Sequence, residues 1–340
     1  MREKSLGRLK VSAQGLGCSN LTGNYGTEFN ERVAAATLDR AFELGVQLLD
    51  TSDMYGPHTN EEFIGRVIRD RRQQVMLATK FGTLGAGGLQ APGSTPAAMV
   101  RGDADYARQA CEGSLRRLGV ECIDLYYLHR VDPKVPIEET VGAMADLVAS
   151  GKVRFLGLSE VSSETLRRAA KVHPISALES EWSLWSRDIE TEIVATAREL
   201  GAGIVPYAPL GRGFLTGRIK SEGDFGPTDG RRHNPRFQGD NFKKNLDLVR
   251  RIGGIAQEKG CTPAQLALAW LDSRGADVVP IPGGDRPEYV EENVGALEVH
   301  LTATDLRRID QICPRGIAAG QRYADMSWVM GGTPRQRTVQ

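Results

Sequence analysis

Leu48-Leu49-Asp50-Thr51-Ser52-Asp53-Met54-Tyr55-Gly56 is an apolar run that ends abruptly in acids and a tyrosine. It reads as a buried strand delivering polar groups to its carboxyl end. Two later runs end the same way, Val75-Met76-Leu77-Ala78-Thr79-Lys80 in a lysine and Ile123-Asp124-Leu125-Tyr126-Tyr127-Leu128-His129 in a histidine. Asp, Tyr, Lys and His are thus offered at successive strand ends.

Outward from this stretch the same unit repeats. Upstream, Ala34, Leu38, Ala41 and Phe42 recur at helical spacing up to Gly45, a C′ glycine, before a strand over 46–50. Downstream, Thr59 and Glu62 are expected to form a capping box opening a helix through Phe63, Val67 and Ile68. A helix face from Ala107 to Leu118 closes at Gly119, and another from Ile137 to Val148 closes at Gly151. Each precedes a strand, over 123–128 and 153–158. Leu166, Ala169 and Ala170 mark a helix before a strand over 175–178. Ile189, Ile193, Ala197 and Leu200 end at Gly201, before 203–207.

Residues 211–240, rich in Gly, Pro, Arg and Asp, read as a long βα loop over the active-site face. Thr262-Pro263 then starts a helix as N-cap and N1, and 278–281 is a last short strand. With 15–18 as the first strand there are eight, which argues for a closed (β/α)8 TIM barrel in the α/β class. An open doubly wound sheet is the alternative, but Gly15-Leu16-Gly17 is followed by Cys18-Ser19-Asn20 and lacks the GxGxxG fingerprint. Leu6 to Ser12 alternates about Gly7, an N-terminal β-hairpin. Asp285 with Glu288 is expected to open a pair of C-terminal extra helices through Val290, Val294 and Leu297, then Leu306, Ile309 and Ile312. Residues 1–340 are read as one barrel domain with a tail at 318–340, in which Arg322-Tyr323 is a candidate to pack on the barrel and 331–340 is expected to be disordered.

The 340 residues suit one such barrel, and 40% hydrophobic with 25% charged residues is ordinary for a large core. Lys+Arg and Asp+Glu both number 43, so no global field draws the chain to nucleic acid or an anionic membrane. Five cysteines without a CxxC argue for reduced thiols, a cytoplasmic protein and no metal site. The N-terminus leads into no apolar signal region, and no run approaches a membrane span.

A phenol titrates near pH 10, so Tyr55 as a proton donor to a carbonyl needs a nearby cation. Lys80 supplies that charge, Asp50 pairs with Lys80, and His129 orients the same oxygen. Such a site fits carbonyl reduction by hydride without a metal. Taken singly, an Asp at a strand end is usually a cap or turn former, as Asp53 is, and His129 or Tyr207 reads as a packed structural residue. Lys80 is the exception, since a lysine ending so apolar a run needs a partner. Order and spacing carry the joint reading. His58, His173, His233 and His300 are read as surface or loop residues, with His58 near enough to Tyr55 to line a pocket. Trp182 and Trp185 are expected to pack beneath a loop; Arg231, Arg232 and Arg236 are expected on a solvated loop surface.

The segments 49–56, Ala78-Thr79-Lys80-Phe81-Gly82, 125–130, Gly157-Leu158-Ser159, 205–213 and Ile281-Pro282-Gly283 with Glu292-Asn293 resemble the aldo-keto reductases, in that family's order, over about residues 9–312. Trp182-Ser183-Leu184-Trp185-Ser186-Arg187 is similar to the branch with plant and bacterial members acting on varied carbonyls. The resemblance implies a catalytic tetrad of Asp50, Tyr55, Lys80 and His129, with hydride from nicotinamide C4 and the proton from Tyr55. It implies that Ser159, the following Glu160, Glu179 and Tyr207 hold the nicotinamide, with Leu210, Gly211 and Arg212 at the pyrophosphate. Gly283, Gly284, Arg286, Glu292 and Asn293 fall at the adenosine end.

Glu160 stands where many members carry Asn, and Glu179 where Gln is common; an ionised carboxylate only accepts hydrogen bonds. Asp285 replaces what is often a second cation, so NADP(H) is expected through Arg286 with NAD(H) as the alternative. Ser19, where some members have a bulky aromatic, implies a roomier pocket. The partner expected is a small carbonyl or alcohol. A competing reading is an NADPH-binding regulatory subunit similar to the potassium-channel β subunits, against which the lack of a long segment before the barrel counts. A nicotinamide-free lyase or isomerase is disfavoured by the segments from Ser159 to Asn293.

Overall fold

The computed structural model describes residues 1–84, 99–327, 329, 331 and 332. The disorder expected of 333–340 lies outside the described residues.

Alternation builds the barrel. Strands β3 (Leu16–Gly17), β4 (Leu48–Asp50), β5 (Met76–Phe81), β6 (Ile123–Leu128), β7 (Val153–Ser159), β8 (Ile175–Glu181) and β9 (Gly203–Tyr207) form a parallel sheet in sequence order. Residues 278–283 close it. Val279 N and Ile281 N donate to Ile204 O and Pro206 O, while Pro280 O and Pro282 O accept from Gly15 N and Gly17 N. Successive residues of a strand point to opposite neighbours. Both prolines therefore fall where the missing N–H would have faced β3, which is why the eighth strand closes through single bridges rather than a full ladder.

Paired residues share a face, and the register Asp50↔Ala78, Lys80↔Tyr127, Tyr127↔Gly157, Ser159↔Glu179 and Glu181↔Tyr207 places all of these toward the barrel axis. Below Asp50, Lys80, Tyr127, Glu179 and Tyr207 the same rows carry Leu48, Ala78, Leu125, Ala177 and Val205. The polar residues at the strand ends are thus the uppermost interior layer. The hairpin of β1 (Glu3–Leu6) and β2 (Leu9–Ser12) turns at Gly7, with φ of 58°, and inserts Leu6, Leu9 and Val11 into the lower end of that core. Close packing inside has one sharp consequence: a Cβ at Gly157 would lie 2.3 Å from the Tyr127 ring.

The other strand face, with Leu49, Leu77, Tyr126, Leu156 and Ile204, meets the helices. These are α1 (Glu31–Glu43), α2 (Thr59–Ile68), α3 (Ala104–Leu118), α4 (Ile137–Ala149), α5 (Ser163–Val172), α6 (Ile193–Glu199), α7 (Gly239–Glu258) and α8 (Pro263–Asp272), followed by α9 (Pro287–Gly295) and α10 (Ala303–Ile312). Thr262 caps α8 with Pro263 at N1, as expected, and Gln265 completes a capping box with it. The Thr59–Glu62 box does not form: Thr59 Oγ1 donates to Gly56 O, and His58, at φ of 71°, is the exposed N-cap. Asp285 likewise does not cap α9, whose N-cap is Arg286.

Helix α7 is an addition to the sequence reading. Phe242, Asn245, Leu248, Val249, Ile252, Ile255 and Ala256 form its buried stripe. Residues 211–238 before it are irregular, as expected, but their 3-10 turns pack closely. Trp185 stacks on Phe214 with centroids 5.2 Å apart, and Phe237 and Phe242 complete the cluster. Both Trp182 and Trp185 are buried, as expected. Gly331, expected to be disordered, instead bridges Val161, its N–H donating to Glu160 O.

Candidate active site

A cavity of about 760 Å³ opens above the carboxyl ends of the strands. Asp50, Tyr55, His129, Glu179 and Tyr207 line its inner end. Lys80, fully buried, sits directly behind them, its ammonium bonded to Asp50 Oδ1 and to Thr51 O at 2.9 Å. The same nitrogen lies 3.6 Å from Glu179 Oε1 and 5.3 Å from the Tyr55 ring centroid. Burial of an ammonium is costly unless it is paired and hydrogen-bonded, and these carboxyls and the carbonyl meet that need.

The environment sets the protonation states. Burial raises the Tyr55 phenol above its ordinary value, and Lys80 opposes that only in part. The phenol is therefore a protonated donor at neutral pH. Burial, reinforced by the charges of Arg130 and Lys80, drives His129 well below the usual imidazole range, so its ring is neutral. Its Nδ1 lies 3.2 Å from Ser52 Oγ, and its ring meets Tyr55 edge-on at 6.1 Å. The decoy Asp53 is buried, pushed up to about 7 by burial and then by Glu61, and is not part of the cavity wall.

Ser159 and Glu160 lie behind the wall instead of in it. Ser159 Oγ accepts from Arg130 at 3.0 Å. Glu160 Oε1 accepts from Tyr207 OH at 2.9 Å, from Arg322 at 3.0 Å and from Glu181 N at 3.0 Å. One guanidinium, one phenol and one backbone N–H thus hold the Glu160 carboxylate. Glu181 in turn pairs with Arg212 at 2.9 Å and Arg236 at 3.4 Å. Arg236 is thus buried, and Arg231 pairs with Asp229 at 2.6 Å, contrary to the solvated surface expected for them. Arg232 alone of the group matches that expectation in part, reaching only the carbonyls of Phe225 and Gly226.

The outer end is lined by Leu210 and Arg212, then by Gly283, Gly284, Glu292 and Asn293. Gly211, with φ of 57°, packs under Trp185 behind them, and a Cβ there would come within 2.7 Å of the indole. Arg286 lies just outside the wall, 5.0 Å from the Tyr289 ring and 3.4 Å from Asp285. Arg218, which no sequence motif singled out, lies 4.3 Å from the Tyr289 ring centroid and pairs with Glu292 at 2.6 Å. Ser19 lines the cavity; His58 does not. Glu181 had a readable signal, since it stands two residues after Glu179 on one strand and so shares its face.

The family model for the aldo/keto reductase family matches residues 14–314. The chain belongs to the aldo/keto reductase family. It is 46% identical over 331 residues to probable aldo-keto reductase 1 of Glycine max, covering 96% of this chain and 93% of that protein. Among solved structures it is similar to a glycerol dehydrogenase from Gluconobacter oxydans, with a TM-score of 0.81 and 28% identity over 91% of this chain and 94% of that one. An aldo-keto reductase from Bacillus halodurans in its holo form superposes with a TM-score of 0.73 at 28% identity, over 92% and 96% of the two chains. The chain is accordingly an oxidoreductase on a (β/α)8 barrel. Among the described residues no helix is long and apolar enough to cross a membrane.

Proposed function

We propose that this aldo-keto reductase interconverts aldehydes or ketones and their alcohols with NADP(H), Tyr55 passing the proton. The observation that carries this reading is the buried ammonium of Lys80, held by Asp50 beside the Tyr55 phenol and a neutral His129. The cavity suits a dinucleotide: at about 760 Å³ it runs from Tyr55 and Tyr207 at its inner end to Arg218 in its outer wall, with Arg286 just outside, both guanidiniums lying beside Tyr289.

When bound, the nicotinamide supplies the hydride. Tyr207 and Glu179 flank its place, Leu210 and Arg212 the pyrophosphate, and Gly283, Gly284, Glu292 and Asn293 the adenosine. Arg218 and Arg286, each also facing a carboxylate, Glu292 and Asp285, offer guanidinium donors to a 2′-phosphate at that end. His129, with Nδ1 engaged by Ser52, keeps Nε2 for the carbonyl oxygen. Tyr55 donates its proton to that oxygen as negative charge develops there, and Lys80 then stabilises the phenolate left behind.

Tryptophan fluorescence titration of the protein with NADPH and NADH, followed by oxidation of the bound nucleotide with an aldehyde and ketone panel, tests the proposal. Tighter binding of NADPH with carbonyl-dependent turnover is expected. Binding of neither nucleotide overturns it.

A further inference from the structure

The inner end of the cavity holds two buried carboxyls and one ammonium. Asp50 ends β4, Lys80 lies in β5 and Glu179 in β8, all directed to the barrel axis. Lys80 Nζ bonds Asp50 Oδ1 and stands 3.6 Å from Glu179 Oε1. The remaining oxygens, Asp50 Oδ2 and Glu179 Oε2, are both buried and have no hydrogen-bond partner if both acids are ionised. Two carboxylates beside one cation, shielded from water, are a surplus charge that such a site does not sustain. One proton answers both difficulties, because an acid O–H donated to the facing carboxylate satisfies an orphaned oxygen on each side and leaves the trio neutral.

We propose that Asp50 and Glu179 share one proton, resident on Glu179, and that its loss to solvent at alkaline pH weakens Tyr55 as an acid. The second clause rests on the function proposed above. Glu179 is then a positioning residue acting through Asp50 and Lys80. The charge stays on Asp50 because Asp50 holds the ammonium directly. Consistent with this, burial and then the charge of Asp50 push Glu179 up to about 8; burial raises Asp50 as well, but Lys80 and the bond from Glu179 oppose that and favour its ionised form. The other groups facing the pair are few. Arg130, beyond β6, and Lys80 favour ionisation, whereas Tyr127 of β6, Tyr55 and Cys18 beside Asp50 are held neutral by burial, as is His129. Once the proton leaves, the added negative charge raises the Tyr55 phenol further. Carbonyl reduction then slows by on the order of tenfold, the effect of one poorly screened charge a few ångströms away.

Infrared difference titration of the nucleotide-free protein tests the shared proton. Asp53 contributes its own carboxylic band, so the spectrum of Glu179→Gln is subtracted. The difference is expected to contain a protonated carboxyl at about pH 6.5 that vanishes by about pH 9.5. In Asp50→Asn, Glu179 becomes the sole counter-ion of Lys80 and that band is expected to be absent at about pH 6.5. The pH profile of carbonyl reduction at saturating nucleotide supplies the second readout: the alkaline loss in kcat is expected in the wild type and is expected to disappear in Glu179→Gln. An absent band in the difference spectrum, or an alkaline limb unaltered in Glu179→Gln, overturns the proposal. Should neither nucleotide bind, the assigned function fails while the infrared result still decides whether the proton is shared.

Discussion

Arg322 gives the sharpest test of how the C-terminal segment is fixed over the cavity. Its side chain is 1% exposed, and its guanidinium reaches Glu160 at 3.0 Å, with Glu181 at 4.0 Å and Asp188 at 3.8 Å. Removing one partner of a buried ion pair strands the other, at a cost of about 3–5 kcal/mol. Arg322→Met is expected at the lower end, about 3 kcal/mol, because Glu160 keeps Tyr207 OH and Glu181 N, and Glu181 keeps Arg212 and Arg236. At about 2 °C per kcal/mol for a chain of this size, the melting temperature falls by about 6 °C. Urea melts of Arg322→Met, Glu160→Gln and the double variant measure the coupling, expected at about 2 kcal/mol. Arg308→Met serves as control: its pair with Glu258 is 45% and 58% exposed, and its loss is expected to leave the urea midpoint unchanged. A cost below about 1 kcal/mol for Arg322→Met, or strict additivity with Glu160→Gln, refutes the clamp.

Gly157→Ala drives a Cβ into the Tyr127 ring at 2.3 Å and is expected to cost about 2–3 kcal/mol in thermal or urea unfolding, whereas Gly142→Ala, in α4 with open space around it, is expected to stabilise by about 0.5–1 kcal/mol. His129 is held neutral by burial well below its ordinary 6.5, so its contribution is complete above about pH 6.5 and is lost as pH falls beneath that value. His129→Asn is therefore expected to flatten the acid-side decline in stability below pH 6.5, by up to about 1.4 kcal/mol per pH unit, in urea melts across that range.

The barrel was legible because its strands are short apolar runs and its helices end on glycines, signals that are local. The positions proposed as catalytic stood out for a related reason: Asp50, Lys80 and His129 are polar residues that continue an apolar interior row. Helix α7 carries a weaker local signal: Gly253 and Gly254 interrupt the stripe of Phe242, Val249, Ile252 and Ala256, and its first residues, Gly239 and Asp240, belong to the stretch read as a loop. The buried ion cluster was not readable either. Arg236 and Arg322 are distant in sequence from Glu181 and Glu160, and only the fold decides that these charges meet away from water. The same holds for Arg218, whose position over Tyr289 depends on the path of the long loop.

The central claim is that Tyr55 delivers the proton, and single-turnover oxidation of bound NADPH by a carbonyl substrate in Tyr55→Phe tests it most directly. The ring and its packing on His129 remain in that variant, so nucleotide affinity is expected to stay within about twofold while the rate falls by at least about 100-fold. Turnover at the wild-type rate in Tyr55→Phe would contradict the account.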